Sequence, residues 1–182
     1  MEPRSAIILR PVTLSCVDSF RAVRLRALRD TPTAFGSTYA QESELSDRDW
    51  QQRVAQRNGD RSTACLAWDG DEPCGIVAGY LEPDEPTMAH LVSMWVAPTH
   101  RRAGVGRLLV NAVIDWANSR GAASLRLMVT SNNDAAQLFY ERLGFARTGR
   151  TEPYPNDPAL FEFEMMRSIG RDTGSGLKRA VL

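Results

Sequence analysis

Apolar residues recur along the chain with two different periods, which predict a mixture of helices and strands. The most regular helix begins near residue 105, where apolar side chains at i, i+3, i+4, i+7, i+8 and i+11 form a continuous stripe. Gly121 follows it at the position of a helix terminator. The stripe consists of Val105, Leu108, Leu109, Ala112, Val113 and Trp116. A shorter helix is predicted around Phe139, Tyr140 and Leu143, with Gly144 at its end.

Two further helices are predicted in the first third of the chain. One carries apolar side chains at Val17, Phe20, Val23 and Ala27, and it is broken by the proline of residues 31–33. The next begins at residues 46–49, whose sequence Ser-Asp-Arg-Asp resembles a capping box.

Short β-prone runs bounded by glycine and proline predict the strands. They cover residues 6–10, 63–68, 75–81, 91–96, 125–129, 145–148 and 160–166. The resulting order, β-α-α-β-β-β-α-β-α-β-β, predicts a single mixed α/β domain over residues 1–167. Residues 168–182, with three glycines, are predicted to be a flexible C-terminal tail.

Composition and charge exclude several classes of function. The 182 residues are 43% hydrophobic and 24% charged, and 22 Lys and Arg balance 22 Asp and Glu. A zero net charge argues against a general nucleic-acid binder. No apolar run has the length of a membrane span, and residues 1–5 lack the apolar core of a signal peptide. Three cysteines and two histidines without metal-ligand spacing predict no metal site and free thiols in the cytoplasm.

The turn before the helix at residue 105 is the segment with the most chemical information. It reads Arg101-x-x-Gly104-x-Gly106, between a predicted strand and an amphipathic helix. Glycines let a backbone approach an anion closely, and the first N–H groups of a helix have no intrahelical partner. Arg101, Arg102 and Arg107 surround the turn, which suits an anion with several phosphates. From these residues alone, a solvated basic surface loop remains an equal alternative.

Two blocks of sequence resemble the GNAT superfamily of N-acetyltransferases. The first resembles motif A, and it reads Trp95-Val96-Ala97-Pro98-x-x-Arg101-x-x-Gly104-x-Gly106. The second resembles motif B, and it reads Asn133-x-x-Ala136-x-x-Phe139-Tyr140-x-x-Leu143-Gly144-Phe145. They occur in the family's order, with one helix and one strand between them. The resemblance covers about residues 6–167, and it implies a central, mostly antiparallel sheet with a splayed parallel strand pair and flanking helices.

The resemblance also implies acetyl-CoA as a cosubstrate and assigns residues to it. The backbone of Met94, Trp95 and Val96 would bind the pantetheine arm like an added strand. Asn133 would reach the same arm, or act as a helix N-cap, or both. The backbone amides of the turn would bind the pyrophosphate, through residues Arg101, Arg102, Ala103, Gly104, Val105, Gly106 and Arg107.

Tyr140 occupies the family position of the general acid, which would protonate the departing thiolate. The alternative interpretation is that Tyr140 is only a core aromatic residue packed beside Phe139. The general base is open, because Met128 stands where related ribosomal-protein N-terminal acetyltransferases usually have Glu. His90 is one candidate, although a solvent-facing histidine at a strand edge is equally consistent. The other candidates for the general base are water and an acidic residue of the loop with Glu82, Asp84 and Glu85. For these three acids, a solvated loop without a catalytic role is the favoured interpretation.

The implied function is acetyl transfer to a primary amine of a small molecule or peptide in a ternary complex. Residues 33–39 would line one wall of the acceptor site, and the loop at residues 154–158 would cover it. A non-catalytic acyl-CoA-binding regulatory module is the alternative. Nucleic acid and membrane are not expected as partners, and a homodimer is compatible with the family. The acceptor, the acyl-chain preference and the oligomeric state are not determined by the sequence.

Overall fold

Seven strands form the sheet of this protein in the computed structural model, which describes residues 6–170. The strands are β1 (Ile7–Pro11), β2 (Ser62–Asp69), β3 (Glu72–Leu81), β4 (Met88–Val96), β5 (Ser124–Thr130), β6 (Ala146–Pro153) and β7 (Phe161–Ser168). The helices are α1 (Val17–Asp30), α2 (Tyr39–Ser43), α3 (Asp47–Ala55), α4 (Val105–Ser119) and α5 (Asp134–Arg142). Their order confirms the predicted mixed α/β class.

The strands lie in the order β1-β2-β3-β4-β5-β7-β6. The pairs are antiparallel except for β4 with β5, which is the one parallel pair within residues 6–170. That pair is joined only from Met88 opposite Ser124 to His90 opposite Arg126. Beyond these residues β4 and β5 continue without pairing, which confirms the predicted splayed pair. The splay opens a cleft between two adjacent strands.

Helix α4 follows the predicted apolar stripe. Val105, Leu109 and Val113 are buried, because this face packs on β3 and β4, whereas Leu108 at the edge of the stripe is exposed. The capping box of α3 is confirmed, since the Ser46 hydroxyl accepts from the Asp49 N–H and the Asp49 carboxylate accepts from the Ser46 N–H. The amphipathic pattern and the caps therefore determine these elements locally.

Four elements differ from the prediction, and one of them is strand β3, which begins at Glu72 rather than at residue 75. The short helix α2 was not predicted, although Thr38 and Gln41 form a capping box at its start. Strand β4 begins at Met88 rather than at residue 91. Strand β6 runs to Pro153 rather than to residue 148, because pairing with β7 holds a polar and almost fully exposed segment extended.

The chain stays packed beyond β7. Ile169 is buried, and its N–H donates to the carbonyl of Ala123. The rest of the predicted C-terminal tail, residues 171–182, lies outside the described residues. Within residues 6–170, no helix is both long and apolar enough to cross a membrane.

Candidate active site

The splay between β4 and β5 holds a cavity of about 310 Å³. Its walls are His90 to Met94 of β4, Leu127 to Thr130 of β5, and Asn133, Ala136 and Tyr140 at and in α5. The loop after α1 closes one side with Ala34, Phe35 and Gly36, which are three of the seven residues 33–39 predicted to line the acceptor site. Arg24 from α1, Tyr80 from β3 and Glu162 from β7 complete the wall.

A bulge in β4 shapes the cleft side of the cavity. Val92 is opposite Ala78 and Trp95 is opposite Ile76, so both Ser93 and Met94 face the single residue Val77. Ser93 has φ +56°, in the left-handed region that side chains rarely adopt. A bulge of this kind bends the strand and redirects its backbone. The bend carries the second half of β4 away from β5.

The turn before α4 has the geometry of an anion site. Arg102 and Gly104 have φ of +63° and +84°, and the first helical bond is the Leu108 N–H to the Gly104 carbonyl, at 3.1 Å. Among residues 6–170, no acceptor lies within hydrogen-bond distance of the N–H groups of residues 102–107. A cluster of unpaired amides at a helix N-terminus suits a phosphate group.

Glycine is required at two positions of this turn for different structural reasons. Gly104 needs its left-handed φ, although open space surrounds it. A side chain at Gly106 would meet the Phe139 ring at 3.0 Å and the Met94 methyl at 3.3 Å. Gly106 therefore lets α4 approach both α5 and the bulged strand.

Arg101 does not point freely into solvent. Its guanidinium forms an ion pair with Asp30, and its Nε donates to the Val96 carbonyl at 3.0 Å. Asp30 also accepts from the Trp95 indole N–H at 2.9 Å. Of the three arginines near the turn, this one is neutralised, and it links the end of α1 to β4.

Tyr140 lies between two aromatic rings and reaches the cavity. Its ring contacts Phe139 and Phe145 edge-on, at centroid distances of 5.1 and 5.6 Å. Only 6% of the residue is exposed, and burial raises the pKa of its phenol well above the ordinary value. The phenol is therefore protonated at neutral pH. Its hydroxyl makes no hydrogen bond to any of residues 6–170, and the residue lines the cavity.

Asn133 caps α5, since its side-chain oxygen accepts from the Ala136 N–H at 3.1 Å. It also lines the cavity. The N-cap interpretation is therefore correct, and the amide nitrogen is left over for a ligand.

His90 and Glu82 lie together, which the sequence did not predict. The His90 Nε2 is 2.7 Å from a Glu82 carboxylate oxygen, and the ring stacks on Tyr80 at 4.6 Å. The His90 side chain is only 14% exposed, so the solvent-facing alternative is wrong. Because a carboxylate only accepts, Nε2 donates to Glu82 and Nδ1 is the ring's proton acceptor. Glu82 is thus part of the site's surroundings rather than of a solvated loop.

The loop at residues 154–158 supports the cavity from behind. Tyr154 is buried, and its hydroxyl lies 2.7 Å from the Phe35 carbonyl and 3.1 Å from the Pro32 carbonyl. The Asn156 amide donates to the Gly36 carbonyl at 3.1 Å. None of residues 154–158 is part of the described cavity wall. The loop fixes the wall that residues 34–36 provide.

Sequence reasoning missed three charged residues of this region, namely Arg24, Asp30 and Glu162. The signals for two of them were present in the pattern. Arg24 lies next to the apolar stripe of α1, and Glu162 alternates with aromatic residues in β7. No local signal identified Asp30, because its partners are Trp95 and Arg101, more than 60 positions away.

Comparison with known proteins agrees with this architecture. Residues 25–145 match the Acetyltransferase (GNAT) family, and the chain belongs to this family. It is 48% identical over 54 residues to the streptothricin acetyltransferase of Streptomyces lavendulae, covering 30% of this chain and 29% of that protein. It is 41% identical over 73 residues to the [ribosomal protein bS18]-alanine N-acetyltransferase of Escherichia coli strain K12, covering 40% and 47%.

A solved GNAT-family acetyltransferase from Streptococcus pneumoniae has the same fold. It superposes with a TM-score of 0.76 at 19% identity, covering 91% of this chain and 100% of that one. The matches to the two curated relatives span less than half of the length of each relative.

Proposed function

We propose that this protein is an acetyl-CoA-dependent N-acetyltransferase that acts on a primary amine. The observation that carries the proposal is the convergence of three features on one cleft. These are the unpaired amides of residues 102–107, the unpaired edge of β4 and the protonated phenol of Tyr140. Family membership supports the same class of reaction.

The backbone groups account for binding of the cosubstrate. The amides of residues 102–107 would hold the pyrophosphate. The Ala97 N–H bonds to the Cys74 carbonyl, so by strand alternation the backbone groups of Val96 face the cleft. Met94 also lines the cavity, whereas Trp95 pairs with Ile76 and supports the strand from the side of β3. Arg101 would release the Val96 carbonyl when pantetheine binds there.

The side chains account for the chemistry. His90, oriented by Glu82, would accept a proton from the amine at Nδ1. The neutral amine nitrogen then bonds to the acetyl carbon while the carbon–sulfur bond breaks, and the nitrogen releases its second proton to solvent. Tyr140 would donate its proton to the departing thiolate and recover one from solvent. The products are the acetamide and CoA, and no metal is required for this balance.

The relatives suggest two classes of acceptor to test. One is named for streptothricin and the other for the alanine of ribosomal protein bS18. Met128, at the position where N-terminal acetyltransferases usually have Glu, favours a small-molecule amine over a protein N-terminus.

The test is thiol release from acetyl-CoA with small amines, streptothricin and an alanine-initiated peptide. We expect turnover that falls about 100-fold in Tyr140→Phe, since general acid catalysis contributes at least that factor. Tyr39→Phe is the matched control, because its hydroxyl bonds to Arg29 outside the cavity wall. His90→Gln should lose turnover mainly at neutral pH and recover where the amine is already deprotonated.

A tight complex with acetyl-CoA but no turnover with any acceptor would instead favour a non-catalytic acyl-CoA-binding module. No binding of acetyl-CoA at all, measured by calorimetry, would rule out both.

A further inference from the structure

Glu162 is a carboxylate in the cavity wall that has no partner. It lies on β7 opposite Thr130, and it is half-buried. Among residues 6–170, no cation or hydrogen-bond donor lies within bonding distance of it. The neighbouring glutamates, in contrast, have partners. Glu152 forms an ion pair with Arg150 at 2.7 Å. Glu164 lies 3.2 Å from Arg126 and accepts a hydrogen bond from the Thr148 hydroxyl. The charge of Glu162 is therefore left for something outside the described chain.

The position of Glu162 carries a cost that a ligand could relieve. Glu152 is its direct partner across the β6–β7 pair, and like charges opposite each other destabilise a sheet. Burial, and then the charge of Glu152, raise the pKa of Glu162. A bound cation would reverse both effects, since an opposite charge stabilises the ionised carboxylate.

The other charged groups of the cavity wall each have a partner, although the buried Nη1 of Arg24 has none among residues 6–170 and Glu42 is shared with Arg53 at 3.2 Å. Arg24 donates from Nε and Nη2 to Glu42 at 3.0 and 2.9 Å, and its guanidinium lies over the Phe35 ring. His90 is bonded to Glu82. Glu162 is the one carboxylate within the described wall, and it has no ion-pair partner among residues 6–170.

The sheet register separates Glu162 from the proposed proton acceptor. His90 is level with Arg126 on β5, whereas Glu162 is level with Thr130. Four residues of strand span about 13 Å. An acceptor with two amines several carbons apart therefore matches these two positions better than a single amine does. If His90 receives the proton of the reacting amine, Glu162 faces a different part of the acceptor.

We propose that Glu162 binds a second positively charged group of the acceptor, so that the preferred substrates are elongated diamines or oligoamines. The proposal rests on the proposed function, in which the reacting amine lies at His90. The carboxylate attracts the distant ammonium group, and the apolar wall between the two sites accommodates the linking chain.

The experiment compares diaminobutane, diaminohexane and diaminooctane with alkylamines of matched length. We expect at least one diamine to exceed its matched monoamine about tenfold or more in kcat/KM, as a hydrogen bond to a charged group provides. In Glu162→Gln this preference should disappear through a higher KM for the diamine. The kcat/KM of the matched monoamine should fall far less than that of the diamine.

Glu152→Gln is the matched control, because Glu152 lies directly opposite Glu162 but is not part of the cavity wall. This variant should keep the preference for diamines. Thermal unfolding of both variants checks the fold, and neither should be less stable than the parent, since each removes one of two opposed charges.

A measurement of diamine binding tests the role of Glu162 independently of the proposed catalytic function. Calorimetry with a diamine and CoA measures a dead-end complex without turnover, and Glu162→Gln should weaken it about tenfold. Absence of turnover with every amine would contradict the proposed function, while the loss of diamine affinity would still support the role of Glu162. Equal preference in the parent protein and in Glu162→Gln, or no preference for any diamine, would overturn the proposal.

Discussion

Burial determines the protonation of individual residues in this protein. Tyr140 and Cys65 lie in apolar surroundings, and burial raises the pKa of both groups, that of Cys65 from 9.0 to about 11. Glu42 shows the opposite balance. Burial alone would raise its pKa, but hydrogen bonds and charges from Arg24, Ser37 and Arg53 lower it. Burial therefore keeps the Tyr140 phenol available as an acid, whereas hydrogen bonds and opposite charges outweigh burial at Glu42 and lower its pKa.

At the scale of the residue, the raised pKa of the Cys65 thiol predicts that the unfolding free energy falls at alkaline pH. Between pH 9 and pH 11 the unfolded thiol ionises while the folded thiol keeps its proton, so the folded state binds more protons and stability falls as pH rises. The shift of about two pKa units corresponds to at most about 3 kcal/mol of unfolding free energy. Urea unfolding at pH 8 to 11 should show this part of the decline in the parent and not in Cys65→Ser. Equal declines in the two proteins would contradict it.

At the scale of the element, α4 has a left-handed glycine at each end. Gly104 precedes its first turn with φ +84°, and Gly121 follows its last with φ +82°. Open space surrounds both α-carbons, so an alanine at either position suffers the same backbone strain and no collision. Only Gly104 belongs to the turn with unpaired amides. A comparison of alanine substitutions at Gly104 and Gly121 therefore separates an effect on CoA binding from an effect on stability.

Gly104→Ala should therefore weaken the affinity for CoA about tenfold, because relief of about 1–2 kcal/mol of strain would rotate the amides of the turn. Gly121→Ala should lose a similar amount of stability but bind CoA as the parent does. Calorimetric titration and thermal unfolding measure the two quantities. A similar loss of CoA affinity in both variants would indicate that the turn has no specific role.

At the scale of the whole molecule, the cavity wall depends on segments far apart in the chain. The Tyr154 hydroxyl is within hydrogen-bond distance of the carbonyls of Pro32 and Phe35, which lie about 120 positions earlier. Arg24 and Glu42 join α1 to α2 below the same loop. The cavity wall at residues 34–36 is thus held by long-range polar contacts, whereas the turn with unpaired amides is built within one strand–turn–helix unit.

Tyr154→Phe should raise the KM for the acceptor several-fold and leave the KM for acetyl-CoA unchanged. It should also cost about 1–3 kcal/mol of unfolding free energy, because buried carbonyls lose their donor. Steady-state kinetics with each substrate varied in turn, together with urea unfolding, measure these effects. Parallel changes in both KM values would show that the wall is not specific to the acceptor.

The sequence by itself determined the elements whose signals are local. The apolar stripe of α4, the caps of α3 and α5 and the glycine turn before residue 105 depend on neighbours within a few positions. The orientation of their side chains and their backbone angles depend on hydrogen bonds and burial along one helix. The two family motifs lie in these same elements, so the fold class and the geometry of the glycine turn could be predicted.

The tertiary structure alone decided which distant residues meet. Strand β7 inserts between β5 and β6, which places Glu162 at the end of the cavity and opposite Glu152. The pairing of His90 with Glu82 and of Arg101 with Asp30 likewise follows from the packing of β4. These contacts depend on strand order and on the splay, and neither leaves a periodic signal in the chain. The charges around the cavity are therefore a property of the sheet, because they are paired or left unpaired only after the strands have assembled.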